Sequence, residues 1–251
     1  MANRSAPIKS LQHLKKKKNK HNQMYTGKFI TKKLPLLFTA SALLTLLSFV
    51  ALSVQEKKVI VCFGDSITHG AQVDGKSWVW YLQQDQQNTP YTYINAGRSG
   101  RKTADKKELL PVLEKYSSAD MFVFFLGVND LKNGNDAMVA SCIRNMQWMI
   151  DQVRAIAPKA KILLLSPSDI NTKIMSEINK GKLYNENTRK SLKKLQAAYE
   201  QLARKNHCGF LSLLHVVPRL AYADGLHPNA KGQQALYKAI GKKIISYDKG
   251  K

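Results

Sequence analysis

Acidic residues are scarce in this 251-residue chain: 17 Asp and Glu stand against 40 Lys and Arg, a net charge of +23. An excess of that sign ordinarily points to nucleic acid or an anionic surface. Its distribution argues otherwise. The first 33 residues carry ten of the cations and no acid, so almost half the excess sits in a lead that need not belong to a folded domain. Cysteine is rare as well. Cys62, Cys142 and Cys208 have no CxxC spacing and no histidine at metal-ligand intervals. That excludes a zinc or redox motif and leaves them as buried apolar residues, with one disulfide at most. The chain has no internal repeat, and no low-complexity stretch beyond the basic lead, so a repeat architecture is excluded too.

The longest absence is of charge. Residues 34–54 (LPLLFTASALLTLLSFVALSV) run for 21 positions without an ionisable side chain, long enough to cross a bilayer core as a helix. With its basic flank held in the cytoplasm, everything after Gln55 is expected to be exported, to a periplasmic, cell-surface or secreted location. Ala51-Leu52-Ser53 offers a small-x-small cleavage pattern, while the length of the apolar run suits a retained membrane anchor. Met24 would begin a more ordinary leader, MYTGKFITKK, ahead of the same run. Three segments follow: a basic cytoplasmic or n-region at 1–33, a signal peptide or anchor at 34–54, and a folded domain at 55–251.

Beyond residue 55, short apolar runs alternate with amphipathic stretches. Strands are predicted at 58–64, 91–97, 121–127, 161–167 and 209–214, and helices at 77–86, 103–116, 135–157, 187–206 and 228–247. Five strands each followed by a helix specify a parallel sheet covered on both faces, a three-layer α/β/α sandwich. Ser77 and Asn187 suit helix N-caps, Pro158 suits a helix stop, and Pro228 suits a first helical turn. The connection 168–186 is long and polar for a βα loop, the kind of segment that selects substrates.

In a parallel sheet the carboxyl ends of the strands share one edge, where open α/β folds place their sites. The run VIVCFGDSITHG stops at Gly64-Asp65-Ser66. The second run ends in Asn95-Ala96-Gly97-Arg98-Ser99-Gly100, the third in Gly127-Val128-Asn129-Asp130, and Asp224-Gly225-Leu226-His227-Pro228-Asn229 follows the fifth. Acyl transfer needs such parts. A serine hydroxyl requires a base, which His227 supplies, and Asp224 can hold the other imidazole nitrogen. The backbone amides of Ser66 and Gly97 and the carboxamide of Asn129 can serve a developing oxyanion, and glycine at 97 lets a backbone amide approach closely.

With these four blocks in order, the sequence resembles the GDSL or SGNH hydrolases, esterases and lipases in which GDSIT supplies the Ser, Gly97 the Gly, GVND the Asn, and DGLHPN the Asp and His. The resemblance spans about residues 58–246. It implies a flavodoxin-like sandwich and Ser66 as nucleophile, with His227 as base and Asp224 as orienting acid. It further implies an oxyanion hole of Ser66, Gly97 and Asn129, with no metal or organic cofactor. NDLK at 129–132, KILLLSP and the segment NTRKSLKKLQAAYEQLA resemble the arylesterase-like and carbohydrate-acetylesterase branches.

The neighbours of these residues have plainer readings. Asp65 supports its turn by accepting loop amides, Asp130 is structural, and His69 lacks a carboxylate at useful spacing. Arg98, Arg101 and Lys102 read as a solvated basic loop, although they lie where an anionic substrate would be attracted. Trp78, Trp80 and Trp148 read as packing residues, with Trp78 or Trp80 able to reach a pocket. The expected activity is an exported serine esterase that removes a short acyl group, acetyl foremost, from a carbohydrate or other small alcohol. A lysophospholipase or thioesterase acting on longer chains is the enzymatic alternative, and an exported binding protein that keeps the fold is the other. Nucleic acid is not expected as a partner; a membrane is, through residues 34–54 if they are retained.

Overall fold

The computed structural model describes residues 56–85 and 89–250. The basic lead and the apolar run at 34–54 lie outside the described residues. Among the described residues no helix is long and apolar enough to cross a membrane.

Five strands form one all-parallel sheet: β1 (Lys58–Gly64), β2 (Tyr91–Gly97), β3 (Met121–Phe125), β4 (Lys161–Leu165) and β5 (Gly209–Leu211). Their spatial order is β2-β1-β3-β4-β5. After their first residues β1, β3 and β4 are apolar because both faces are covered, and the two-residue period sorts their side chains between two cores. Val61, Phe63, Phe122, Phe124 and Leu164 pack with α3 (Leu109–Lys115), α4 (Asp136–Ile156) and α6 (Glu186–Lys205). Ile60, Cys62, Met121, Val123, Phe125 and Leu163 pack on the other side, with α2 (Trp78–Gln84) and α7 (Ala230–Asp248). The three-layer sandwich expected from the alternating pattern is therefore the fold.

Two short helices complete the chain. α1 (Ser66–His69) directly follows β1, and α5 (Glu177–Gly181) lies inside the long connection 168–186. A 3-10 turn at Thr172–Ile174 precedes α5, so this polar connection is structured over part of its length.

Several boundaries differ from the sequence expectation for identifiable reasons. The segment 103–116 is not one helix: a 3-10 segment at Thr103–Glu108, itself kinked at Asp105, is followed by α3 from Leu109. Pro111, which has no N–H to donate, is thereby placed in the first turn of α3, where none is needed. Helix α6 is capped by Asn185 rather than Asn187. Its Oδ1 accepts from the Asn187 and Thr188 amides, and Thr188 Oγ1 accepts from the Asn185 amide in return. Pro228 is not in the first turn of α7. It precedes the true cap, Asn229, whose Oδ1 accepts from Lys231 and Gly232. Strand β5 ends at Leu211 instead of 214, because the Ser166 hydroxyl takes the Leu213 amide at 2.9 Å and the ladder stops.

All three cysteines are free, and burial raises the Cys62 and Cys142 thiols far above their ordinary value. They behave as small apolar residues of the core. Among the described residues no group of His, Cys, Asp or Glu could hold a metal ion.

Candidate active site

The strand order reverses around β1, which is flanked by β2 and β3, and the site lies beyond the carboxyl ends of those strands. Asp65 caps α1: its Oδ1 accepts the Ile67 amide at 2.9 Å, and Gly70 closes the helix in the left-handed region. Ser66 thus occupies the first helical position, where the backbone N–H has no acceptor within the helix. Asp65 is buried, which raises its carboxyl to about 7 despite the Ile67 amide, and its Oδ2 has no hydrogen-bond partner among the described residues.

Ser66 Oγ lies 3.0 Å from His227 Nε2, and His227 Nδ1 lies 2.8 Å from Asp224 Oδ2. The other Asp224 oxygen accepts the Leu226 amide at 3.0 Å and the His227 amide at 2.8 Å. A three-residue spacing therefore lets one carboxylate fix both the backbone and the ring of the histidine. Burial alone would raise the Asp224 carboxyl, but the ring and amide hydrogen bonds outweigh it and hold the group well below the usual carboxylate range. Asp224 is ionised at any ordinary pH.

Across from this relay stands Asn129, in a 3-10 turn (Val128–Asp130) that follows β3. Its Nδ2 donates to the Arg101 carbonyl at 3.1 Å, and its Oδ1 accepts from the Tyr184 hydroxyl at 2.6 Å. The carboxamide cannot flip without breaking both bonds, which leaves its second N–H aimed elsewhere. The next residue, Asp130, accepts from the Thr103 amide and, at 2.6 Å, from its hydroxyl, and so is structural.

The structure does not bring Gly97 to this cavity. Its N–H is taken by Asn95 Oδ1 at 2.9 Å, and a Cβ there would stand 2.4 Å from the His69 amide nitrogen. Glycine at 97 serves the packing of β2 against α1. The glycine facing the cavity is Gly100, three residues on, with φ of +78° and open space where a Cβ would be. Its N–H has no hydrogen-bond partner among the described residues. Only the position past the strand end, in the NAGRSG turn, distinguishes the two glycines in the sequence.

In the basic loop Arg98 and Lys102 are exposed as expected, and Arg101 is the exception. Arg101 is not solvated: it is 6% exposed, donates to the Gly64 and Ala96 carbonyls at 2.6 Å, stacks on Phe63 at 4.0 Å and pairs with Glu108. Arg98 pairs with Asp105 and Glu108. Both arginines bind their own chain. None of the three tryptophans lines the cavity. Trp78 is buried against Phe125, Trp80 stacks on Tyr81, and Trp148 lies under Lys106. His69 is exposed and apart from the relay.

Three residues not anticipated as site residues come from the connection 168–186. Asn179, Lys182 and Tyr184 line the cavity with Ser66, Asn129 and His227, and its volume is about 230 Å³. The same connection grips the acid loop: the Ser176 amide and the Asn179 carboxamide donate to the Asp224 carbonyl at 3.0 and 3.3 Å, and the Asn171 amide donates to that of Gly225 at 2.7 Å. A larger cavity of about 560 Å³, lined by Leu82, Tyr93, Gly241 and Ile245 among others, contains none of these residues.

A serine, a histidine and a carboxylate in hydrogen-bonded series at the edge of a three-layer sandwich define a serine hydrolase. Residues 62–235 match the model of the GDSL-like lipase/acylhydrolase family, and the chain belongs to that family. Its members' chemistry, hydrolysis of carboxylic esters by a serine, is accordingly that of this chain. Solved structures share the fold. A carbohydrate acetylesterase family member from Sinorhizobium meliloti superposes with a TM-score of 0.64 at 22% identity, over 76% of this chain and 98% of its own. The M. smegmatis aryl esterase gives 0.63 at 22%, over 75% and 99%. A lipase/acylhydrolase from Enterococcus faecalis gives 0.60 at 24%, over 76% and 96%. No curated protein sequence matches significantly.

Proposed function

We propose that this hydrolase is an exported esterase that removes short acyl groups, acetyl foremost, from a small or carbohydrate alcohol. The observation that carries the reading is a complete Ser66–His227–Asp224 relay facing a cavity of only about 230 Å³, below the roughly 300 Å³ at which drug-sized ligand pockets begin. The two S. meliloti and M. smegmatis neighbours named as an acetylesterase and an aryl esterase support it. Export rests on the sequence of residues 34–54.

In the reaction, Ser66 Oγ attacks the ester carbonyl as its proton passes to His227 Nε2, and ionised Asp224 stabilises the imidazolium. The carbonyl oxygen becomes an oxyanion and is met by the Ser66 and Gly100 amides and the free N–H of Asn129 Nδ2. The imidazolium then protonates the leaving alcohol, which departs and leaves acyl-Ser66. Water, deprotonated by His227, attacks the acyl-enzyme, and collapse of the second tetrahedral intermediate releases the acid and restores Ser66.

Hydrolysis of p-nitrophenyl acetate by the purified domain is the test. Turnover by Ser66→Ala equal to that of the wild type sinks the mechanism. The longer-chain alternative has one observation in its favour: α5 and the turn after it expose Ile178 (71%) and Leu183 (55%) beside cavity residues Asn179 and Lys182, an apolar lip on which a chain could lie. Efficiency that falls steadily from acetate to octanoate supports the short-acyl reading; efficiency that rises to eight carbons or beyond establishes the other.

A further inference from the structure

Two lysines, Lys132 and Lys182, line the cavity at Ser66. Lys132 follows the oxyanion-side turn that carries Asn129, and Lys182 follows α5 on the opposing connection. Among the described residues neither lies within ion-pair distance of a carboxylate, and the same holds for Lys102, next to Gly100 and Arg101.

This contrasts with the cations around them. Arg98 and Arg101 share Glu108, Arg189 holds Asp169 and Glu186, and Lys180, two positions before Lys182, pairs with Glu177 at 2.7 Å. The acid nearest in sequence to Lys132, Asp130, is turned onto Thr103. Lys132 instead lies 5.5 Å over the ring of Tyr184. Partial burial, then the charges of Lys102 and Lys182, lower its ammonium below the ordinary value, so each of those two cations is near enough to repel Lys132. Like charges gathered at the mouth of a cleft raise the local concentration of an oppositely charged solute.

Building on the esterase reading above, we infer that the substrate is an anionic ester, one whose acyl or alcohol part carries a carboxylate, phosphate or sulfate held between Lys132 and Lys182 while its ester carbonyl lies at Ser66. A neutral ester would leave the ammonium cluster uncompensated; an anion relieves its self-repulsion. The arrangement makes selectivity a matter of charge on the substrate in addition to acyl length.

The test uses matched pairs. On the alcohol side, meta-carboxyphenyl acetate is compared with its meta-carbamoyl isostere; on the acyl side, monophenyl succinate with phenyl succinamate. The quantity read is the ratio of kcat/KM, anionic over neutral, within each pair, so that general changes in activity cancel. The wild type should favour the anion in at least one pair by roughly five- to tenfold at low salt, as two partly screened ammoniums would give. The ratio should fall toward one as ionic strength rises to about 0.5 M and the screening length shortens. Lys132→Gln with Lys182→Gln should abolish it, Lys182→Glu should invert it, and Lys205→Gln, at the far end of α6, should leave it intact. Equal efficiency within both pairs, or a preference that survives the double substitution, overturns the anion site while leaving the esterase standing. Failure to hydrolyse any of the four esters, with Ser66 unreactive toward a fluorophosphonate probe, overturns both.

Discussion

The two walls of the cavity at Ser66 are held by different means. On the relay side each half is shaped by local contacts, although the Ser66–His227 bond that joins them spans 161 residues: Asp65 caps the helix that begins at Ser66, and Asp224 fixes His227 three residues later through its amide and its ring. On the side of Asn129 the contacts are distant in sequence. Asn129 is clamped between the carbonyl of Arg101 and the hydroxyl of Tyr184, and Tyr184 arrives from the connection that also binds the Asp224 and Gly225 carbonyls. Local contacts write a short motif into the sequence. Distant ones disperse their residues and leave none.

Breaking the relay side should have the largest effect. Ser66→Ala is expected to lower kcat for p-nitrophenyl acetate by about 10⁴ or more, because the nucleophile and its base act as a unit. Breaking the opposite wall should cost less. Asn129→Ala removes one oxyanion donor and should lower kcat by about 10²–10³ with a smaller change in KM, checked by steady-state kinetics.

The two glycines sharpen the contrast. Gly97→Ala forces a Cβ into the backbone of α1 and should destabilise the fold by about 2 kcal/mol or more in urea titration. Gly100→Ala meets no atom within 4 Å and costs only the left-handed strain of about 1–2 kcal/mol. Its loss should appear in kcat, as the turn relaxes and moves the amide. If the two substitutions exchange these effects, Gly97 and not Gly100 is the oxyanion glycine.

Tyr184→Phe tests the long-range clamp. Freed of the hydroxyl, the Asn129 carboxamide loses its fixed orientation, and kcat should fall roughly tenfold with KM little altered, the size of one well-placed hydrogen bond. In an Asn129→Ala background the same substitution should have no further effect on kcat.

The smallest effect concerns stability alone. With its carboxyl raised to about 7 by burial, folded Asp65 keeps a proton that the unfolded chain releases near the ordinary value of about 4. Its contribution to stability is therefore full below pH 4 and is lost as pH rises to 7. Asp65→Asn keeps the acceptor for the Ile67 amide without the buried charge. Relative to the wild type it should gain about 1–4 kcal/mol between pH 4 and pH 8 in paired denaturation curves. Parallel pH profiles would show that the carboxyl is charged in the folded state.

How much was legible follows the same division. Five parallel strands could be read because each is a run of apolar residues bounded by turn chemistry, and Ser66, Asn129, Asp224 and His227 because each follows a strand on the shared edge. Their sequence blocks carried the family as well. Gly97 was misread because a glycine at a strand end serves packing and substrate approach equally well in a one-dimensional pattern; only the position of α1 tells them apart. Arg101 was misread because a basic residue in a loop gives no sign that Gly64 and Ala96 turn their carbonyls toward it.

The sequence by itself determined the sandwich and the order of the blocks that carry Ser66, Asn129, Asp224 and His227, since these depend on periodicity and on turns a few residues long. Only the tertiary structure decided which glycine faces the cavity, that Tyr184 orients Asn129, and that Lys132 and Lys182 both line the cavity while Arg98 and Arg101 are paired with acids. Those outcomes depend on where distant loops cross, and a crossing is fixed by the packing of the two cores on which the loops are mounted.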